Sequence, residues 1–310
     1  MKQYLVFDAG GTFIKYALMN ERAEILEKDK VPTPYYEDHV KEDFYRALDP
    51  VVDTYRERIA GIAISMPGML DSRKGYCYSA GYLAYLAGSA VAPELEERFS
   101  LPVTIENDGK SAAQAELWKG SLKGYENGAV VVLGTGVGGG IVLNGKVYRG
   151  NHFTAGEYSY VLADPNRKYE MAGFWGISGG SPGLAQSVAA VTGEDPDTLN
   201  GLIIFERANA GDEKTLQGLR NFTDDLAIQI YNLHMILDLD IIALGGGISQ
   251  QPLLLSLTRG SLEELAEKNP LKAISPYIPK PQVVTCTFYN DANLIGALYH
   301  YLTLKAGGIN

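Results

Sequence analysis

Cysteine is scarce in this 310-residue chain: Cys77 and Cys286 are the only two, and neither stands in a CxxC or CxH pairing. A disulfide framework and a cysteine-built zinc site are therefore not indicated. Positive charge is also short, with 27 Lys and Arg against 37 Asp and Glu and a net charge of −10. That balance argues against nucleic acid, whose phosphate backbone requires clustered cations. No apolar run approaches a membrane span, and the opening MKQYLVFDAG lacks a signal-peptide pattern, so a cytoplasmic protein is expected. The four histidines form no cluster that suggests zinc; His152 reads as a loop residue, and no GxSxG turn offers a serine nucleophile. Low-complexity segments and flexible linkers are missing too. The remainder, 46% hydrophobic and 21% charged, is ordinary globular composition, enough for one very large domain or two ordinary ones.

What is present begins at Tyr4. YLVFDAGGTFIKYALMN is an apolar run reaching Asp8, a corner at Gly10 and Gly11, and an alternating run through Ile14, Tyr16 and Leu18. It reads as two strands joined at glycines whose uncovered N–H groups can face an anion, although a plain hairpin has the same pattern. A third short strand, a helix over about 39–58 and a buried strand with a Pro-Gly turn (61–71) follow. The tyrosine-rich tract from Tyr76 to Tyr85 fits a wall or mere packing. Then come a helix near 93–99, the strand PVTIEND, and the small-residue helix GKSAAQAELWKG capped near Asp108. At Ala129 the opening plan recurs in AVVVLGTGVGGGIVLNGKVY. Such repetition suggests two related lobes across a cleft, each giving one glycine corner to a polyphosphate. The chain from about 183 to 237 reads mostly helical and feeds the strand DIIALGGGIS, with a third glycine turn at 245–247; a helix, the strand QVVTCTFY and a last helix complete it. The expected lobes are 1–118 with the C-terminal helix at about 291–310, and 119–290.

Gly134, Gly136 and Gly139 satisfy GxGxxG, with Glu157 near the distance of a ribose-binding acid. A dinucleotide fingerprint needs a helix after the glycines. GIVLNGKVYRG reads as a strand with an Asn-Gly turn, so a nicotinamide site is rejected.

Asp108 is the sharpest chemical candidate. At a strand end and helix start it suits a carboxylate that accepts a proton from an alcohol, while a simple N-cap accounts for it equally well. Asn107 can donate to and accept from a sugar hydroxyl, or form the turn. Glu157, in a loop of small residues, has plain solvation as its ordinary explanation.

The ordered motifs DAGGT (8–12), MPGMLD (66–71), ENDGKSAAQAE (106–116), LGTGVGGGI (133–141), AGE (155–157) and LGGGIS (244–249) resemble those of ROK-type sugar kinases, over nearly the whole chain. The resemblance implies an α/β, two-lobed, ribonuclease H-like fold of the actin/hexokinase/Hsp70 ATPase type. It implies ATP and Mg²⁺ as well. Asp8 would hold the metal through water, with Gly10, Gly11 and Thr12 on the phosphates. Gly134, Thr135 and Gly136 would contact them from the other lobe, and Gly245, Gly246 and Gly247 would border the adenosine. Asp108 would be the general base, and Gly68, Asn107 and Glu157 would orient the sugar. A homodimer is expected from the family alone.

Two departures matter. The family's GExGH histidine is Tyr160 here, and its CxCGxxGCxE zinc motif is replaced by a cysteine-free tract from Ala163 to Leu184, so no structural zinc is expected. Loss of those polar groups near the sugar's anomeric end suggests that C1-substituted sugars such as β-glucosides or cellobiose are phosphorylated at the 6-hydroxyl. Tyr158, Tyr160, Phe174 and Trp175 would stack on the second ring. A kinase for free glucose, mannose or an N-acylhexosamine is the alternative. A sugar-responsive repressor would require a helix-turn-helix ahead of Asp8, and a silent sensor would be expected to lose Asp108.

Overall fold

The computed structural model describes residues 1–34 and 39–305. The chain divides into two compact units, one of residues 1–119, 149–155 and 290–310, the other of 120–148 and 156–289. The segment 149–155, expected with the second lobe, packs with the first unit. Residues 306–310 of the expected last helix lie outside the described residues.

In chain order the first unit supplies β1 (Gln3–Ala9), β2 (Phe13–Asn20), β3 (Ile25–Pro32), α1 (Lys41–Tyr55) and β4 (Ile59–Met66). The two-residue ribbon of β5 (Leu70–Asp71) and β6 (Tyr76–Cys77), α2 (Val91–Phe99), β7 (Val103–Asn107) and α3 (Asp108–Lys119) follow. The second unit contains β8 (Gly128–Leu133), β9 (Val137–Leu143), β10 (Lys146–Tyr148), α4 (Trp175–Ser178), α5 (Ser181–Thr192), α6 (Gly201–Asn209), α7 (Glu213–Leu237), β11 (Ile241–Gly245), α8 (Pro252–Glu267) and β12 (Gln282–Thr285). The chain then returns to the first unit as α9 (Ala292–Lys305).

Each unit is built on a five-stranded sheet, ordered β3-β2-β1-β4-β7 in the first and β10-β9-β8-β11-β12 in the second. The hairpin strands are antiparallel, and β1-β4-β7 and β8-β11-β12 are parallel. In the first unit, alternation sends Leu5, Phe7, Ile62, Ile64 and Ile105 into one core with Phe44 and Leu48 of α1 and Leu95 and Phe99 of α2. α9 lies on the sheet too: Tyr4 of β1 packs its ring on Tyr301, centroids 5.1 Å apart. In the second unit Val131, Leu133, Ile242 and Leu244 pack with Val188, Phe222, Leu226 and Ile230 from α5 and α7. α7 starts on Asp212, whose carboxylate accepts from the Thr215 N–H at 2.7 Å. Among the described residues no helix is long and apolar enough to cross a membrane.

Candidate active site

In the first unit, sheet register brings the candidate residues together. Asp8 pairs with Ser65 across β1 and β4; Ser65 pairs with Glu106 and Met66 with Asn107 across β4 and β7. Asp8, the Pro67-Gly68 turn and the Asn107-Asp108 junction therefore share the carboxyl edge of three parallel strands, the edge at which such sheets hold ligands. Asp8 is buried; its Oδ1 accepts from Asn293 Nδ2 at 3.0 Å and its Oδ2 lies 3.3 Å from Lys15 Nζ. Beside it, the Gly10 N–H is directed at the carbonyls of Asp8 and Phe13, and Thr33 Oγ1 donates to the Gly10 carbonyl at 2.7 Å. The tyrosine tract splits in use. Tyr82 and Tyr85 fasten backbone, donating to the carbonyls of Ala9 (3.0 Å) and Pro34 (2.6 Å), whereas Tyr78 remains open.

Asn107, rather than Asp108, caps α3. Its Oδ1 accepts from the Lys110 N–H at 3.0 Å, and its Nδ2 donates to the Gly68 carbonyl at 3.0 Å. Asp108 is the first helical residue, half-buried, with its Oδ1 accepting from the Gly109 N–H at 2.8 Å. The turn at Gly68 has φ +106°, and a Cβ there would lie 1.8 Å from the Ser79 carbonyl oxygen, so only glycine fits.

Sequence reasoning did not find the group beneath this edge. Glu106 is fully buried and ion-paired with Arg149, whose Nε lies 3.0 Å from Oε2, and His300 Nδ1 stands 3.5 Å from the same oxygen. The Asn107 N–H donates to Oε1 at 3.0 Å, and Gln114, oriented by its neighbours, accepts from Arg149 at 2.8 Å and donates to the Gly296 carbonyl. Burial works against the Glu106 charge, but Arg149, His300 and the Asn107 N–H outweigh it and hold the carboxyl below its ordinary range. Burial pushes the His300 imidazole down, with Glu106 opposing and Arg149 reinforcing. One signal was available: a glutamate facing inward in the apolar strand VTIEN requires a buried cation.

In the second unit, β8 and β9 form an antiparallel hairpin whose corner is Gly134, Thr135 and Gly136. A strand follows those glycines, so the GxGxxG match is not a dinucleotide turn. The Gly134 N–H donates to the Gly136 carbonyl at 2.9 Å, and Ser181 N–H donates to the Gly134 carbonyl at 2.8 Å. Gly245 pairs with Val132, which sets the 245–247 turn beside this corner. The fit is close: a Cβ on Gly246 (φ +87°) would lie 2.2 Å from the Leu133 carbonyl oxygen. A Cβ on Gly247, by contrast, would meet nothing within 4 Å, and one on Gly134 only the Gly136 carbonyl oxygen at 3.7 Å. Packing does not require these two glycines, and the space beside them is open.

Glu157 is half-buried, just ahead of the single turn at Tyr158–Tyr160, and Tyr160 is 66% exposed. The expected aromatic platform is not formed. Tyr158 and Trp175 are core residues packed on each other with centroids 5.4 Å apart, and Phe174 sits in a bridge to Leu162. Stacking on a sugar is left to Tyr160 alone among the four as an exposed ring. Among the described residues no group of three or more His, Cys, Asp or Glu side chains is placed to hold a metal. A single carboxylate beside a glycine corner nevertheless suits Mg²⁺, which keeps several waters and takes other ligands from phosphate.

Compared with known proteins, residues 4–303 match the ROK family. The chain is 31% identical over 302 residues to a beta-glucoside kinase of Klebsiella pneumoniae, covering 95% of this chain and 94% of that protein. It is 28% identical over 312 residues to an N-acetyl-D-glucosamine kinase of Vibrio atlanticus, covering 96% and 98%. Among solved structures, a ROK family protein from Streptococcus pneumoniae in complex with sucrose superposes with a TM-score of 0.85 at 28% identity, covering 99% of this chain and 100% of that one.

Proposed function

This chain belongs to the ROK family, and from that premise we propose that, as an ATP-dependent sugar kinase, it phosphorylates the 6-hydroxyl of a glucose unit, including one substituted at C1 as in cellobiose. The observation that carries this reading is the convergence of Asp8, Gly68, Asn107 and Asp108 on one sheet edge. Asp108 takes the proton of the 6-hydroxyl as its oxygen bonds to the terminal phosphorus and the bond to ADP breaks. Asn107 and the Gly68 turn, tied to each other, orient the sugar; Asn107 retains one amide hydrogen for it, since the other meets Gly68. Glu157 adds a further sugar contact, and Tyr160 stands where the resembled pattern has histidine.

Asp8, whose carboxylate is already met by Asn293 and Lys15, would hold Mg²⁺ through water. Bound Mg²⁺ supplies neutralising charge on the phosphates. At the first corner the Gly10 N–H is turned to backbone carbonyls, so Gly11 and Thr12 meet the phosphates. At the second corner the Gly134 N–H is likewise engaged, so Thr135 and Gly136 act there, and Gly245 to Gly247 border the adenosine.

The sucrose complex and the beta-glucoside kinase support the C1-substituted substrate. A second reading, a kinase for a free hexose or N-acylhexosamine, is favoured by the N-acetyl-D-glucosamine kinase relative. Coupled ADP release over glucose, N-acetylglucosamine, N-acetylmannosamine, cellobiose and aryl β-glucosides separates them. Cellobiose or aryl glucosides are expected to match or exceed glucose in kcat/KM. Dominance of a free sugar selects the second reading, and no ADP above background with any sugar removes both.

A further inference from the structure

We propose that Tyr78 and Phe153 form an aromatic shelf that holds the second ring of a C1-substituted sugar; the inference rests on the sugar-site reading above. Tyr78 is 54% exposed although two rings touch it. Phe153 stacks against it with centroids 5.9 Å apart and planes 20° apart, and Tyr76 meets it edge-on at 5.0 Å and 64°. Open aromatic faces are stabilised by whatever covers them, and a pyranose ring presents a flat array of C–H bonds suited to that task.

The shelf is tied to the sugar edge through hydrogen bonds. Tyr78 N–H donates to the Met69 carbonyl at 2.9 Å, and Met69 N–H donates to Ser79 Oγ at 3.1 Å. Met69 follows Gly68, whose carbonyl receives Asn107, the neighbour of Asp108. Phe153 comes from the other direction. It lies on the segment 149–155 that packs with the first unit, anchored at its start by the buried Arg149–Glu106 pair. Its φ of +61° is costly for an aromatic residue, and strain of that kind is retained where surrounding structure enforces it, commonly at ligand sites. The same strand thus sets the base through Asn107-Asp108 and the shelf through Glu106.

The test compares binding of phenyl β-glucoside, methyl β-glucoside and glucose by calorimetry in the wild type, Tyr78→Ala and Phe153→Gly. The glycine variant removes the ring while permitting the left-handed backbone, and thermal unfolding reports whether each variant folds. Wild type is expected to bind the phenyl glucoside more tightly than the methyl glucoside. Both variants should reduce that preference roughly five- to tenfold, the size of an aromatic contact. An unchanged preference in both folded variants, equal loss for all three sugars, or no phenyl preference in wild type overturns the shelf. Because binding is read without turnover, a ring-dependent preference with no ADP release from any sugar would keep the shelf and remove the kinase reading. ADP release from glucose without a phenyl preference would do the reverse.

Discussion

The two units share one plan and differ in chemistry. Each places a glycine corner between the first two strands of a sheet of the same order and sense. At the step before the corner, the first unit pairs Asp8 with Lys15 across the hairpin, and the second pairs Val132 with Gly138. An Asn-Asp pair stands at the start of the helix after the fifth strand in both cases, Asn107 just before α3 with Asp108 its first residue, and Asn290-Asp291 just before α9. Asp108 follows its strand directly. Asp291 stands several residues beyond Thr285 and is engaged by the Lys28 ammonium on the surface. The two units thus share a backbone plan and differ in where their charged groups stand.

The strongest way to break this contrast is to mutate the paired acids. Asp108→Asn should lower kcat about 10²- to 10⁴-fold with ATP binding retained, as expected for loss of a general base. Asp291→Asn should stay within about twofold in the same ADP-release assay. Equal effects would dissolve the distinction. Next in size is the buried ion pair. Glu106→Gln leaves Arg149 without its carboxylate and should cost about 3–5 kcal/mol in urea unfolding. Glu194→Gln, at the exposed pair with Arg207 in the second unit, should leave the midpoint unresolved from wild type.

Adjacent glycines in the second unit sharpen the point. Gly246→Ala forces a Cβ into the Leu133 carbonyl at positive φ and should destabilise by roughly 1–3 kcal/mol. Gly247→Ala has space, so it should leave thermal stability alone and raise the KM for ATP. The smallest expected effect is on pH dependence. Glu106 and His300 both bind their protons more weakly when folded than their ordinary values of 4.5 and 6.5. Each contribution is present above the unfolded value and is lost as pH falls towards the folded one. Stability should decline below about pH 6.5 and again below about pH 4.5. In His300→Gln the first decline should flatten in thermal unfolding at stepped pH, whereas surface variants of the second unit keep it.

Strand–corner–strand units were legible in the sequence because alternation and glycine leave a local signature, and Asp108 because it stands where a strand pattern becomes a helix. Which of Asn107 and Asp108 caps was not legible, since both side chains cap well and the answer depends on where the strand ends to the residue. Tyr158 and Trp175 misled because a glycine-rich tract looks like an open loop, yet here it folds inward and fills the core. Glu106, Arg149 and His300 lie 43 and 151 positions apart in sequence along that series. No local pattern reports such a pairing.

The threading of the segment 149–155 and of α9 into the first unit has a consequence for synthesis. On a ribosome, residues 1–119 emerge before their partners: the Glu106 carboxylate must wait for Arg149, and the sheet face under Tyr4 must wait for Tyr301. The second unit has all its strands once Thr285 is made. The first unit is thus completed after the second: Glu106 lacks its cation until Arg149 is made, and the sheet face at Tyr4 stays uncovered until α9 follows.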